Sequence, residues 1–415
     1  MSAGGTGRAG PGHPREPGAR AGPAEPSLPL NPLLAAQGDY PFARLRASVD
    51  GAVGRGVEVI DFGVGEPREE TPGFIREALA AGIVAVSTYP LAVGLPALRE
   101  AVASWVARRF GASLDPDTEV VPTLGSKEAI FQLAQLVVDR YGRRDLVAVT
   151  TPGYPVPARG AQFAGAEVVE LPLRRQHGFL PHPADLDALA WERLAVLWLN
   201  TPNNPTGAVA DLALIGRLAE RCAAAGTVLA CDEAYSELWL EGDPPPSALQ
   251  LPDRHNVVVF NTLSKRSSMP GHRCGFLAGD PRIVTAAKRL RPSTGTAPQE
   301  HVQRAAVAAW SDEGHVEAVR ALYRAKRDAL LPALQAAGLE LVGGRGTFFL
   351  WLAVPGGDDE ALATRLLDTH GIVVTPGSYL GRGGEGHVRV ALVPTLEACA
   401  VAADRLAAAR ATMGP

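Results

Sequence analysis

The tightest constraint in this chain is a series of short, almost wholly apolar runs, each followed at once by a polar, turn-rich block. The runs are 146–150 (LVAVT), 194–199 (LAVLWL), 227–231 (TVLAC), 257–261 (VVVFN) and 275–278 (GFLA). None alternates apolar with polar residues, so none has the pattern of a strand with one wet face. They read as strands covered on both faces. Amphipathic stretches lie around them: 96–110, where Leu98, Val102, Trp105 and Val106 recur at helical spacing, then 126–140, 211–225 and 299–336. Buried strands alternating with helices predict an α/β fold with a mostly parallel sheet covered by helices. Strand candidates resume at 347–353, 372–375 and 387–393, with a closing helix over 395–410, which predicts a second, smaller α/β domain. At 415 residues the chain is long enough for two such cores. The expected division is a disordered tail over 1–27, an N-terminal segment 28–60 packing with the small domain, a large domain 61–295 and a small C-terminal domain 296–415.

The polar blocks carry the chemistry. After 194–199 comes Asn200-Thr201-Pro202-Asn203-Asn204-Pro205-Thr206-Gly207. After 227–231 comes Asp232-Glu233-Ala234-Tyr235, and after 257–261 comes Thr262-Leu263-Ser264-Lys265, with Arg273 beyond it. In open α/β sheets ligands bind outside the carboxyl ends of the strands, so these blocks should converge on one crevice. Singly each is ordinary: an Asp at a strand end is commonly a helix cap, and N-N-P-T-G is commonly a turn. Their order along the chain is what makes them specific. Composition sharpens one of them. Among 40 basic residues only Lys127, Lys265, Lys288 and Lys326 are lysines. Arginine is always charged and cannot serve as an amine nucleophile, so a lysine kept in an arginine-rich background after a buried strand points to amine chemistry.

Several function classes are disfavoured. The formal net charge of −4 gives no basic footprint for nucleic acid. No apolar run is long enough to span a bilayer. Cys222, Cys231, Cys274 and Cys399 are scattered, with no C-x-x-C pair, which suits a reducing cytoplasm better than a disulfide framework. No two histidines stand at H-x-x-x-H spacing, so no metal site is expected. Residues 1–27 are Gly, Pro, Ala and Arg with little to bury and no apolar signal core.

The N-P-T-G, D-E-x-Y and S-K blocks, Arg273 after the lysine and the late arginine in His387-Val388-Arg389-Val390 together resemble the class I/II aminotransferases of pyridoxal 5′-phosphate (PLP) fold type I. The resemblance runs from Leu28 to the C-terminal helix. It implies a PLP cofactor bound to Lys265 as a Schiff base, with Lys265 also shuttling a proton. It implies that Asp232 keeps the pyridine nitrogen protonated, and that Tyr235 and Asn204 bond the ring oxygen. Gly125, Ser126, Lys127, Thr262, Ser264 and Arg273 would cradle the phosphate. The family often has a small hydroxyl residue where this chain has Lys127, which leaves open whether that lysine touches phosphate or points away. Tyr154 matches the aromatic that stacks on the ring, although a core tyrosine would read the same way. Arg389 matches the residue that takes the substrate's α-carboxylate, and Gly65 a segment lining the site. Tyr89 matches a tyrosine reaching the neighbouring subunit's phosphate, which implies a homodimer with shared active sites and small-molecule amino-acid and 2-oxo-acid substrates.

Within the family, the run Ser264-Lys265-Arg266-Ser267-Ser268-Met269-Pro270-Gly271 resembles the lysine block of N-succinyldiaminopimelate aminotransferases. That resemblance implies amino transfer between glutamate/2-oxoglutarate and N-succinyl-LL-2,6-diaminopimelate in lysine biosynthesis. An aspartate- or alanine-type transaminase and a fold-type-I PLP lyase are the alternatives, and a PLP-binding DNA-reading regulator is disfavoured by charge. A succinylated substrate needs a second cationic contact for its distal carboxylates. Arg266, Arg291 and Arg345 are the candidates, with nothing in the sequence to choose among them.

Overall fold

The computed structural model describes residues 31–35 and 41–413. The tail 1–27 lies outside the described residues. Two units are separated, residues 1–38 and 39–415. The described part of the first is a short helix, Pro32–Ala35, with Asn31 Oδ1 accepting from the Leu33 amide at 2.9 Å.

The second unit holds the strands. In chain order they are β1 (Ile60–Asp61), β2 (Val120–Thr123), β3 (Leu146–Thr151), β4 (Glu167–Pro172), β5 (Leu194–Asn200), β6 (Val228–Asp232), β7 (Val257–Thr262), β8 (Gly275–Gly279), β9 (Glu340–Leu341), β10 (Phe349–Ala353), β11 (Ile372–Val373), β12 (Thr375–Pro376) and β13 (His387–Ala391). Seven form one sheet in the order β2-β8-β7-β6-β5-β3-β4. Strands β7, β6, β5, β3 and β4 run parallel, as the unbroken apolar runs of β3, β5, β6 and β7 predict, with β4 (EVVELP) at the sheet edge. Strand β8 is antiparallel to both β7 and β2, the one departure from the parallel rule. Helices cover both faces, and two apolar cores form on them. One gathers Trp105, Phe276 and Trp310, the other Leu133, Trp198 and Phe260.

A second, antiparallel sheet, β12-β13-β10-β9, carries a separate core of Phe348, Phe349, Leu366 and Val390. The stretch 372–375 does not form one strand. Ile372–Val373 pairs with β1 in parallel, and Thr375–Pro376 pairs with β13. The helix Pro41–Gly54 packs Leu45, Val49 and Ala52 against Leu367 and Val373, and Arg44 and Arg55 pair with Glu360 and Asp368 of the helix Asp359–His370.

The stretch 299–336, expected as a single helix, is two: Glu300–Ser311 and Gly314–Ala336. Asp312 takes extended backbone at the break, and its carboxylate accepts from the His315 amide at 3.0 Å, starting the second helix as a cap would. The first of these helices buries Val302, Ala305, Ala306 and Trp310 in the large sheet's core beside Trp105. We therefore keep the two-domain division as a proposal, with its boundary moved from residue 295 to beyond Ser311. All four cysteines are buried thiols. Among the described residues no helix is long and apolar enough to cross a membrane.

Candidate active site

Register brings the blocks together. Asn200 lies opposite Asp232 across β5 and β6, and Asp232 opposite Phe260 across β6 and β7, so neighbouring parallel strands release their polar residues at the same edge. That edge opens on a cleft of about 980 Å³. Gly65, Ser126, Lys127, Tyr154, Asn204, Asp232, Tyr235, Thr262, Ser264, Lys265, Arg273 and Arg389 all line it. Residues separated by more than 300 positions thus meet in one place, as the strand-end rule anticipates.

Lys265 lies on a single helical turn, Leu263–Arg266, started by Thr262, whose hydroxyl accepts from the Ser264 amide at 3.1 Å. Its Nζ donates to the Gly65 carbonyl at 2.6 Å. Burial, with Arg389 as the largest charge contribution, brings its amine down to about 7. An amine in that range is substantially neutral near pH 7, as a nucleophile or proton carrier must be.

Asp232 ends β6, is 5% exposed, and is pushed up to about 6 by burial. Its Oδ1 accepts from the Ala234 amide at 3.2 Å, and it forms no ion pair with any described residue. A buried carboxylate facing a cleft without a countercharge suits a cationic ligand group. Burial likewise raises the Tyr235 phenol, which packs edge-on against Phe348 and Phe349.

Arg389, on β13, is 3% exposed. Its guanidinium donates to Asn204 Oδ1 at 2.9 Å and to the Gly63 carbonyl at 2.8 Å, and lies 4.4 Å from the Phe349 ring centroid. Asn204 is therefore held by Arg389 on one side, while its amide donates to Asn200 Oδ1 at 2.7 Å.

On the opposite side, Ser126 and Lys127 open the helix Gly125–Val137. Thr262 Oγ1 donates to Ser264 Oγ at 2.9 Å, and Arg273 donates to the Pro270 and Leu124 carbonyls at 2.8 and 3.1 Å. Gly125 does not itself line the cleft. Its φ is 66°, and a Cβ there would stand 2.5 Å from Arg273 Nη2, so glycine is what lets the arginine close on the helix start. Free helix N–H groups, two hydroxyls and a guanidinium together form an anion cradle.

Tyr89 stands apart from this group, 99% exposed on the surface. Arg266 and Arg291 do not line the cleft. Arg266 is 1% exposed, bonded to the Ala309 carbonyl and Glu313, and Arg291 holds Glu128 at 2.6 Å. Arg345 is exposed elsewhere. The sequence reading missed Arg46, Asp50, Asp61 and Glu66, which also line the cleft. Asp61 and Glu66 sit in the same D-F-G-V-G-E-P run as Gly65; Arg46 and Asp50 lie on a helix that gave no motif.

A family model, Aminotransferase class I and II, matches residues 57–406. The LL-diaminopimelate aminotransferase of Nitratidesulfovibrio vulgaris is 38% identical over 368 residues, 86% of this chain and 93% of that protein. A crystal structure of an aminotransferase from Neisseria meningitidis superposes with a TM-score of 0.85 at 35% identity, covering 92% of this chain and all of that one. A probable N-succinyldiaminopimelate aminotransferase from Thermus thermophilus superposes at 0.80 with 31% identity, covering 89% and 100%. The fold is that of the PLP fold type I enzymes. The cofactor of such enzymes is PLP, and the residues present fit it: a buried carboxylate without a countercharge, a depressed lysine amine and an anion cradle around one cleft.

Proposed function

Because the chain belongs to the class I and II aminotransferases, we propose that it transfers an amino group between a diaminopimelate-type amino acid and 2-oxoglutarate, as a step toward lysine. The observation that carries the transfer chemistry is the convergence of Lys265, Asp232 and Arg389 on one cleft. When bound, PLP supplies an aldehyde to hold amines and a ring to accept electrons. Lys265 is the amine that anchors it and then carries the proton between the substrate's α-carbon and the cofactor. Asp232 holds the proton on the ring nitrogen. Arg389 takes the α-carboxylate of each substrate in turn, and Asn204 orients that guanidinium. Ser126, Lys127, Thr262, Ser264 and Arg273 hold the phosphate against the start of the helix at Gly125. Tyr154 covers one face of the ring and Tyr235 bonds its oxygen.

For the substrate, the names of the relatives near 38% identity favour LL-2,6-diaminopimelate itself. The Ser264–Gly271 block and the Thermus structure favour the N-succinylated form as the second reading. The test compares kcat/KM for the two diaminopimelates with aspartate, alanine and aromatic amino acids, using 2-oxoglutarate as acceptor. One of the diaminopimelates should lead by tenfold or more, with ping-pong kinetics, since a simple amino acid offers no charged far end for the cleft to pair. A simple amino acid in the lead would remove the substrate assignment and leave the transfer chemistry standing. Release of the amine as ammonia without acceptor would favour a lyase.

The working unit we propose is a homodimer with shared sites. Tyr89 belongs to a stretch, Ile83, Val84, Val86, Tyr89 and Leu91, in which all five large apolar side chains are exposed. Such a run on a single chain suits coverage by a second copy. Tyr89→Phe should weaken cofactor retention, whereas Tyr89→Ala and Lys265→Ala should each be nearly inactive. Mixed and reassorted, the two inactive variants should recover about a quarter of wild-type activity, because half the dimers are hybrids with one intact site. Sedimentation of the active enzyme as a monomer would contradict this.

A further inference from the structure

The geometry points to Arg46 and Asp50, successive turns of the helix Pro41–Gly54, as the pair that reads the far end of the amino donor, and to a zwitterionic amino-acid group as what they read. This inference rests on the transamination reading above and sharpens its substrate. On a helix, positions 46 and 50 share a face. The helix is set in rotation by Leu45, Val49 and Ala52, packed with Leu367 and Val373, and on its other side Arg44 and Arg55 pair with Glu360 and Asp368 at 3.1 and 2.6 Å. Arg46 and Asp50 are instead turned to the cleft, and neither forms an ion pair or side-chain hydrogen bond with a described residue.

The remaining charges in the cleft have work at the near end. Asp61 is paired with Arg68 at 2.9 Å. Glu66, Lys127, Arg273 and Arg389 all act on the charge of Lys265 and so belong to the reacting end. The cleft wall also carries the apolar side chains of Leu45, Val49, Val64, Phe349, Val373 and Leu380, the first two on the same helix as Arg46 and Asp50. A cleft that holds a carboxylate receiver at Arg389, apolar wall residues and a second cation one helical turn from an anion matches a chain of methylenes with an amino-acid group at each end. Arg46 takes the distal carboxylate and Asp50 the distal ammonium. A succinylated amine would offer Asp50 no positive charge and would bring a further carboxylate toward it, so the free diamine is the better fit.

The test uses the holoenzyme and two charge-removing changes, Arg46→Gln and Asp50→Asn, followed by steady-state kinetics with 2-oxoglutarate as acceptor. For Arg46→Gln, the ratio of kcat/KM for LL-diaminopimelate to that for alanine should fall about two- to fivefold, through KM rather than kcat, as expected for a partly solvated ion pair. Asp50→Asn should lower the same ratio for LL-diaminopimelate but not for its N-succinyl derivative. Calorimetric binding of pimelate, which has a carboxylate at each end and no amine, gives a readout free of turnover. Arg46→Gln should weaken it about two- to fivefold, and Asp50→Asn should not weaken it. Unchanged ratios and unchanged pimelate affinity in Arg46→Gln would overturn the assignment even if wild type proves specific for a diaminopimelate. Should wild type transaminate neither diaminopimelate, the substrate reading fails, and pimelate binding still decides whether Arg46 receives a distal carboxylate.

Discussion

With Lys265 replaced by alanine, the protein should fold and take up PLP, yet borohydride should fix no cofactor to the chain, and transamination should fall by on the order of a thousandfold or more. The amine both anchors the cofactor and moves the proton. Lys127→Ala, from the same cleft, should still be trapped by borohydride. Persistent trapping in Lys265→Ala would show that another amine forms the bond. The pH dependence has a definite sign. The folded amine titrates at about 7 against an ordinary value of 10.5, so its neutral form grows as pH rises through 7. Uptake of PLP by the apoenzyme should accelerate across that range and then level off, measured by the change in cofactor absorbance. Between about 7 and 10.5 the unfolded chain binds the extra proton, so apoenzyme stability should rise with pH in that window. In Lys265→Met that rise should be lost, and thermal melts at several pH values would show it.

Asp232→Asn should leave the shape of the site nearly unchanged and still lower the rate of amino transfer by about a thousandfold, equivalent to several kcal/mol of barrier. The carboxylate is buried and carries no cationic partner of its own, so its charge is costly unless the ligand supplies one. In the apoenzyme that cost has a pH signature. The folded carboxyl titrates at about 6 against 3.8, so it destabilises the apo form progressively as pH rises from 3.8 to 6, and fully above 6. At pH 8 the Asp232→Asn apoenzyme should therefore melt no earlier than wild type, while its single-turnover rate collapses. A variant that kept near-normal turnover would reduce Asp232 to the turn contact it makes with the Ala234 amide at 3.2 Å. A variant that lost both stability and activity would indicate that its role is chiefly structural.

What the sequence determined by itself is what local pattern carries. Strands β3, β5, β6, β7 and β8 were legible because a strand covered on both faces must be apolar along its whole length. The blocks after β5, β6 and β7 were legible as a site because parallel strands discharge at one edge, so Asn204, Asp232 and Lys265 could be expected together before any distance was known. The tertiary structure decided what depends on partners distant in sequence. The antiparallel course of β8 and the split of 372–375 between two sheets follow from pairing register, which leaves no mark in a four-residue run. Arg266 looked like a candidate for the distal carboxylates. Only the fold shows its guanidinium consumed by the Ala309 and Asp312 carbonyls and by Glu313, between Trp105 and Trp310. Arg46 and Asp50 gave no signal, because an exposed charge pair one turn apart is an ordinary feature of a helix surface. Their place on the cleft wall comes from the packing of Leu45 and Val49 against Val373, a contact made across more than 300 residues of chain.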